Sequence, residues 1–93
     1  MKLPDTQKMI NQASQVRRIT EDMNRLNNVE ISTASESIAA VWSGEAANAF
    51  LRHCGETREQ ISNTAEELLE CANNLEAFAR DLESQTNSLK LSD

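Results

Sequence analysis

A seven-residue repeat of apolar side chains fills the second half of the chain and limits it to a long helix. The leading positions of the repeat are Ala47, Cys54, Ile61, Leu68, Leu75, Leu82 and Leu89. The positions three residues later are Phe50, Thr57, Thr64, Cys71, Phe78 and Gln85. This is the a/d spacing of a helix with one apolar stripe, which three alanines, Ala65, Ala72 and Ala79, widen on one side. The repeat predicts a helix over about 45–88.

The first half predicts a second helix, over about 5–41, in which the apolar spacing slips once. Asp5 and Thr6 follow Pro4 and can cap its start. The pattern shifts by about one residue at Asn27-Asn28, and because neither glycine nor proline lies there we predict a slight bend rather than a break. Apolar residues occur before the slip at Met9, Ala13, Val16, Ile19, Met23 and Leu26, and after it at Ile31, Ala34, Ile38 and Val41.

Three residues, Trp42, Ser43 and Gly44, separate the two predicted helices. So short a connection makes neighbouring helices antiparallel, so the chain is predicted to be an all-α helical hairpin and a single domain over 1–93. Ser43 is the expected N-cap of the second helix, and Gly44 is expected to give both room and backbone freedom at the corner. Trp42 is interpreted as an apolar plug at the end of the hairpin, or as a partly exposed recognition residue.

Neither the glycine nor the two cysteines of the second predicted helix are expected to interrupt it. Gly55 costs about 1 kcal/mol relative to alanine inside a helix, but the heptad stays in phase across it. We therefore predict one continuous helix, with a local kink at Gly55 as the alternative. Cys54 and Cys71 would lie about 25 Å apart along that helix, which excludes an internal disulfide and places both thiols on the apolar stripe.

The apolar content is too thin for a self-sufficient core. Only 39% of the residues are hydrophobic and 3% are aromatic, so a hairpin of this size buries little surface and is expected to self-associate or bind a partner. The residues predicted to form the seam of the hairpin or dimer are Val16, Ile19, Met23, Leu26, Phe50, Ile61, Leu68, Leu75 and Leu82.

The net charge of −6 resides entirely in residues 45–93, which carry ten acidic and four basic side chains. Such a balance disfavours nucleic acid and anionic lipid as partners and indicates a solvated acidic face or a docking surface for a basic partner. No stretch approaches the length of a membrane span, and the first residues do not form a signal peptide. Membrane insertion and ordinary secretion are therefore not expected, whereas export without a signal peptide remains open.

No arrangement of residues indicates catalysis. His53 is the only histidine, and its neighbour Cys54 would point about 100° away from it on a helix. No set of ligands has zinc spacing, and a thin hairpin offers no sheltered pocket. We expect a protein that is not an enzyme and needs neither metal nor cofactor.

The Trp42-Ser43-Gly44 corner resembles that of the WXG family of small bacterial type VII secretion proteins, the early-secreted-antigen-like group. Ala46, Ala47 and Phe50 follow the motif, and the likeness extends over essentially the whole chain. The resemblance implies a four-helix-bundle dimer with a second copy or a paralogous hairpin. It also implies export without a cleavable signal peptide, with Trp42 and Gly44 as the motif residues, and a role in virulence or interbacterial competition.

One part of the family pattern is missing. Such proteins often carry a tyrosine followed four residues later by an acidic residue, and this chain has no tyrosine. The nearest substitute is Phe78 with Asp81, although Phe78 belongs to the heptad and core packing is its favoured role. The departure favours a partner or adaptor for a larger secreted toxin over autonomous export. A structural coiled-coil protein unrelated to export is the remaining alternative.

Overall fold

The computed structural model describes residues 4–92, which are helical except at the N-terminus and at one corner. Helix α1 is Thr6–Arg25, a π-helical stretch follows at Leu26–Ile31, and α2 is Ser32–Val41. After the corner, α3 covers Glu45–Ser92. No strand occurs in this part of the chain. The first three segments run antiparallel along α3, which confirms the predicted all-helical, hairpin-like architecture.

The ends of the helices follow from local chemistry. The Asp5 carboxylate accepts a hydrogen bond from the backbone N–H of Lys8 at 2.9 Å and caps α1, as the sequence predicts. Helix α3 passes through Gly55 without interruption, so the continuous helix is confirmed and the alternative of a kink is not needed. Its 48 residues end at Ser92, four residues beyond the predicted end.

The π-helical stretch accounts for the slip in the apolar pattern. Ala13, Thr20 and Asn27 are buried at intervals of seven residues, but the next inward-facing position of that row, Ser35, comes eight residues later. A π-helical turn takes up one more residue than an α-helical turn, so the extra residue does not rotate the helix off its partner. Within this stretch Asn27 is 4% exposed, and its side-chain amide donates to the Arg58 carbonyl oxygen at 3.0 Å.

The buried contact between the two arms consists of alanines. Ala13, Ala47, Ala65, Ala72 and Ala79 are 0–2% exposed, and no large side chain in the described residues is fully buried. Alanines let two helices approach closely, while the leading row of the repeat, from Ile61 to Leu82, lies half-buried beside them. The three alanines were expected to widen the stripe on one side and to permit close approach of the helices; they do lie in the helix contact, at its centre rather than at one side.

The companion row that the heptad assigned to the seam faces outward. Phe50 is 42% and Phe78 57% exposed, and Thr64, Cys71 and Gln85 of the same row are exposed as well. The second row of an apolar stripe can lie either three or four residues after the leading row, since both positions are next to the leading row on a helix. Here the inward positions are the fourth, so Phe78 and Cys71 do not pack in the contact between the two arms.

The resulting molecule is a rod of 74 × 17 × 15 Å with a radius of gyration of 21.0 Å. A compact chain of this length would have a radius of gyration of about 12 Å. Its accessible surface of 7105 Å² compares with about 5,400 Å² expected for a folded monomer of the same mass. The hairpin therefore leaves an unusually large share of its surface uncovered.

Candidate functional site: the corner and the outer apolar face

The corner is built by one extended residue and one glycine with a positive φ. Trp42 ends α2 with φ −134° and ψ 128°, and its N–H still donates to the Ile38 carbonyl oxygen at 2.9 Å. Gly44 has φ +110°, and its carbonyl oxygen accepts the first helical hydrogen bond of α3, from Asn48, at 3.0 Å. Gly44 thus holds the N-cap position that the sequence assigned to Ser43.

Gly44 is needed for its backbone angle and not for space. A Cβ atom built at this position would meet nothing within 4 Å. L-amino acids with a side chain rarely adopt a φ of +110°, whereas glycine adopts it readily. The expected crowding of two helix ends at Gly44 was wrong, while the expected backbone freedom is confirmed.

Trp42 packs across the corner and still faces solvent. Its ring centroid lies 5.8 Å from that of Phe50, with the planes tilted by 48°. That distance is in the range of a favourable aromatic pair. Trp42 remains 44% exposed and Phe50 42%, while Ala47, one turn before Phe50, is fully buried. The indole therefore both covers the end of the hairpin and presents one side outward.

One side of the hairpin carries a row of exposed apolar residues on each arm. On a pair of antiparallel helices, the positions that flank the contact on one side of both arms lie next to each other across it. We call the exposed members of these rows the outer apolar face: Ile19, Leu26, Val41, Phe50 and Phe78, which are 42–86% exposed. The other exposed large apolar side chains among the described residues are Val29, Trp42, Leu69 and Leu89.

On the opposite side of the hairpin, a network of polar side chains at the edge of the helix contact joins the two arms. The Arg17 guanidinium donates to the Glu76 carboxylate at 2.8 Å and to the Asn73 amide oxygen at 3.0 Å. Arg80 adds a contact of 3.4 Å to the same carboxylate. The hydrogen bond from Arg17 holds the pKa of Glu76 below its usual value, with the positive charges of both arginines adding to it against a partial loss of solvation.

The predicted seam residues divide into two groups. Val16, Met23, Ile61, Leu68, Leu75 and Leu82 are half-buried beside the alanines. The other three, Ile19, Leu26 and Phe50, belong to the outer apolar face. Phe78 and Asp81 are both exposed and are three residues apart on α3, so they lie close together at the surface.

Two polar features escaped the sequence reasoning. The Arg17–Glu76 ion pair joins residues far apart in the sequence, and nothing in the local pattern pairs them. Asn27 was detectable, because it follows Ala13 and Thr20 at seven-residue intervals, but its amide made the neighbouring Leu26 the more plausible seam residue. The Asn27 Oδ1 atom and the Arg58 Nε atom are buried without a hydrogen-bond partner.

The described residues offer little else for ligand chemistry. They contain no group of three His, Cys, Asp or Glu side chains that could hold a metal ion. Half-buried Cys54 and exposed Cys71 are free thiols, and His53 approaches only Glu56, at 3.9 Å. No helix in this part of the chain is both long and apolar enough to cross a membrane.

The fold and its surfaces thus define an elongated helical hairpin with an aromatic corner and one uncovered apolar face. Comparison of the chain with models of protein families, with curated proteins and with solved structures found no match.

Proposed function

We propose that this chain is a small, non-enzymatic protein of a bacterial type VII secretion system, leaving the cell without a cleavable signal peptide. The observation that carries the proposal is the corner. Trp42 is 44% exposed although it packs on Phe50, and Gly44 has a φ that favours glycine. In the proposed role, a corner that needs the glycine presents the indole to the secretion machinery, and the whole chain resembles the WXG family in length and layout.

The large uncovered surface supports the second part of the proposal, a four-helix bundle formed with another hairpin through the outer apolar face. The accessible surface exceeds that of a typical monomer of this mass by about 1,700 Å². A standard protein interface covers about 800 Å² on each partner, so the excess is large enough for one such interface. A second hairpin laid along the rod would cover this side and leave the Arg17–Glu76 side in solvent.

The C-terminal part of α3 favours a role as secretion partner over autonomous export. Phe78 and Asp81 are exposed neighbours, but an aromatic ring without a hydroxyl replaces the tyrosine of the family signal. Phe78 also belongs to the outer apolar face, where a partner hairpin would cover it. We propose that the partner, a paralogous hairpin or the helical targeting region of a larger toxin, supplies the signal.

Export from cells with and without the secretion ATPase tests the proposal. We expect the wild-type chain in the culture supernatant only when the ATPase is present. Trp42→Arg should reduce export strongly, whereas Ser43→Arg, the same side chain at the variable position of the motif, should be exported normally. Circular dichroism must show that both variants keep the helical content of the wild type.

Three outcomes separate the alternatives. Export that continues without the ATPase contradicts the proposal and favours a structural coiled-coil protein. A folded Trp42→Arg variant that is exported like the wild type removes the recognition role of the indole. Retention of the chain inside the cell, together with ATPase-dependent export of a toxin that requires it, identifies an adaptor.

A further inference from the structure

The outer apolar face is bordered by acidic side chains. Asp22 lies three residues after Ile19 and four before Leu26, so it stands beside both on α1 and the π-helical stretch. On α3, Asp81 lies three residues after Phe78, and Glu67 occupies the equivalent position two repeats earlier. All three carboxylates are exposed. Any molecule that covers the apolar face meets this acidic border.

The acidic border makes a single weak ion pair among the described residues. Glu67 and Asp81 take part in no ion pair among the described residues, while Asp22 has one 3.5 Å contact with Arg25, which is itself two-thirds exposed. Exposed pairs of this kind contribute little and are screened by salt. The negative charge along the border therefore remains available to a partner.

Two of the three arginines of α3 lie away from the outer apolar face. Arg80 joins the Arg17–Glu76 network, and Arg58 lines a groove between α2 and α3 together with Leu51 and Gly55. Neither reaches the outer apolar face, because the polar network marks the opposite flank of the helix contact.

We propose that the outer apolar face receives the hairpin of a different chain with lysine or arginine along its borders, and not a second copy of this chain. This inference rests on the proposed pairing and names the chemistry of the partner. A second copy would oppose this border with acidic side chains of its own. Glu67 is close to the middle of α3, so an antiparallel copy would place it near its own counterpart. A basic border turns the same contacts into attractive ones.

A charge-reversed version of the chain serves as the test partner. The variant Glu67→Lys/Asp81→Lys carries a basic border on an unchanged apolar face. The control Glu66→Lys/Glu70→Lys changes the net charge by the same amount at exposed positions away from that face. Labelled wild-type protein is titrated with each unlabelled chain, and association is measured by sedimentation at about 50 and about 500 mM NaCl. The Debye length is longer than about 10 Å at the lower salt concentration and shorter than about 10 Å at the higher one.

We expect the wild type to bind the charge-reversed variant at least about tenfold more tightly than it binds itself in low salt. This ratio should fall toward one in high salt, and the control variant should stay within about threefold of the wild type. Adding Phe78→Ser to the charge-reversed variant should abolish the association, since it removes a large apolar contact of the face without touching its charges.

Two results would overturn the inference. The first is a wild-type homodimer that is as tight as the mixed pair, which assigns the face to a second copy. The second is absence of association between the wild type and the charge-reversed variant at high micromolar concentration, which shows that the face does not accept a basic-bordered hairpin. Export assays report separately on secretion, so the proposed function can fail while this inference stands, and the reverse.

Discussion

Replacement of Gly44 by alanine isolates the energetic role of the corner. A Cβ at this position meets no atom within 4 Å, so Gly44→Ala introduces no steric clash with the rest of the chain. The cost comes from the backbone alone, because φ is +110° and an alanine must either hold that angle or distort the corner. Backbone strain of this kind costs about 1–3 kcal/mol. For a domain of this size, the melting temperature should fall by about 5–20 °C.

Gly55 provides a matched control within the same chain. It lies inside α3 with helical geometry, and a Cβ built there also meets nothing within 4 Å. Gly55→Ala should therefore stabilise the protein by about 0.4–1 kcal/mol, because alanine loses less conformational entropy when a helix forms. The same chemical change thus has opposite signs at the two glycines.

Thermal unfolding followed by circular dichroism at 222 nm measures both variants. The measurement is repeated at several protein concentrations, which shows whether association contributes to the melting temperature. The reasoning predicts a loss of stability for Gly44→Ala and a gain for Gly55→Ala. If Gly44→Ala unfolds at the wild-type temperature or above it, the positive φ is not required for the reversal of the chain. If both variants are destabilised alike, the glycines are needed for room that the structure does not show.

Three further predictions address the packing and the polar network. Because its pKa is lowered, Glu76 should stabilise the fold above its ordinary pKa and lose that contribution as the pH falls through its lowered value. The stability gap between the wild type and Glu76→Gln, measured by urea unfolding, should therefore be present at pH 7 and shrink as the pH falls below the ordinary pKa of a glutamate. Ala72→Leu should cost about 1–3 kcal/mol by overpacking the helix contact, while the exposed Ala77→Leu changes stability by less than about 0.5 kcal/mol in the same assay. Deletion of Asn28 should convert the π-helical turn to α-helix at a cost below about 1 kcal/mol. Deletion of Asn74, which lies in regular α-helix, should instead rotate the end of α3 by about 100° and unfold much of the contact between the arms. Equal losses of stability in thermal unfolding would contradict this.

The sequence predicts most of the fold because helix periodicity and turn chemistry are local. The positions of the two arms, the Asp5 cap and the continuity of α3 through Gly55 all follow from spacing and residue type. The slip at Asn27-Asn28 was visible as a break in the period. Its form, a π-helical turn, depends on the neighbouring arm, because only packing against α3 favours keeping both parts of the first arm in register.

The choice between the two flanking rows of α3 could not be made from the sequence. Both the row with Phe50 and Phe78 and the row with the alanines neighbour the leading row of the repeat, and the larger side chains made the first row look like the core. In the structure the alanine row is the buried one, since alanines allow the two arms to approach closely while bulky rings do not. A helix that is apolar on two adjacent rows has enough contact surface for two neighbours. The alanine row packs on the other arm of the same chain, and the aromatic row is left outside because the hairpin has no further helix to cover it. The same arrangement explains why the apolar content looked too thin for a core and why the surface it exposes is nevertheless concentrated on one face.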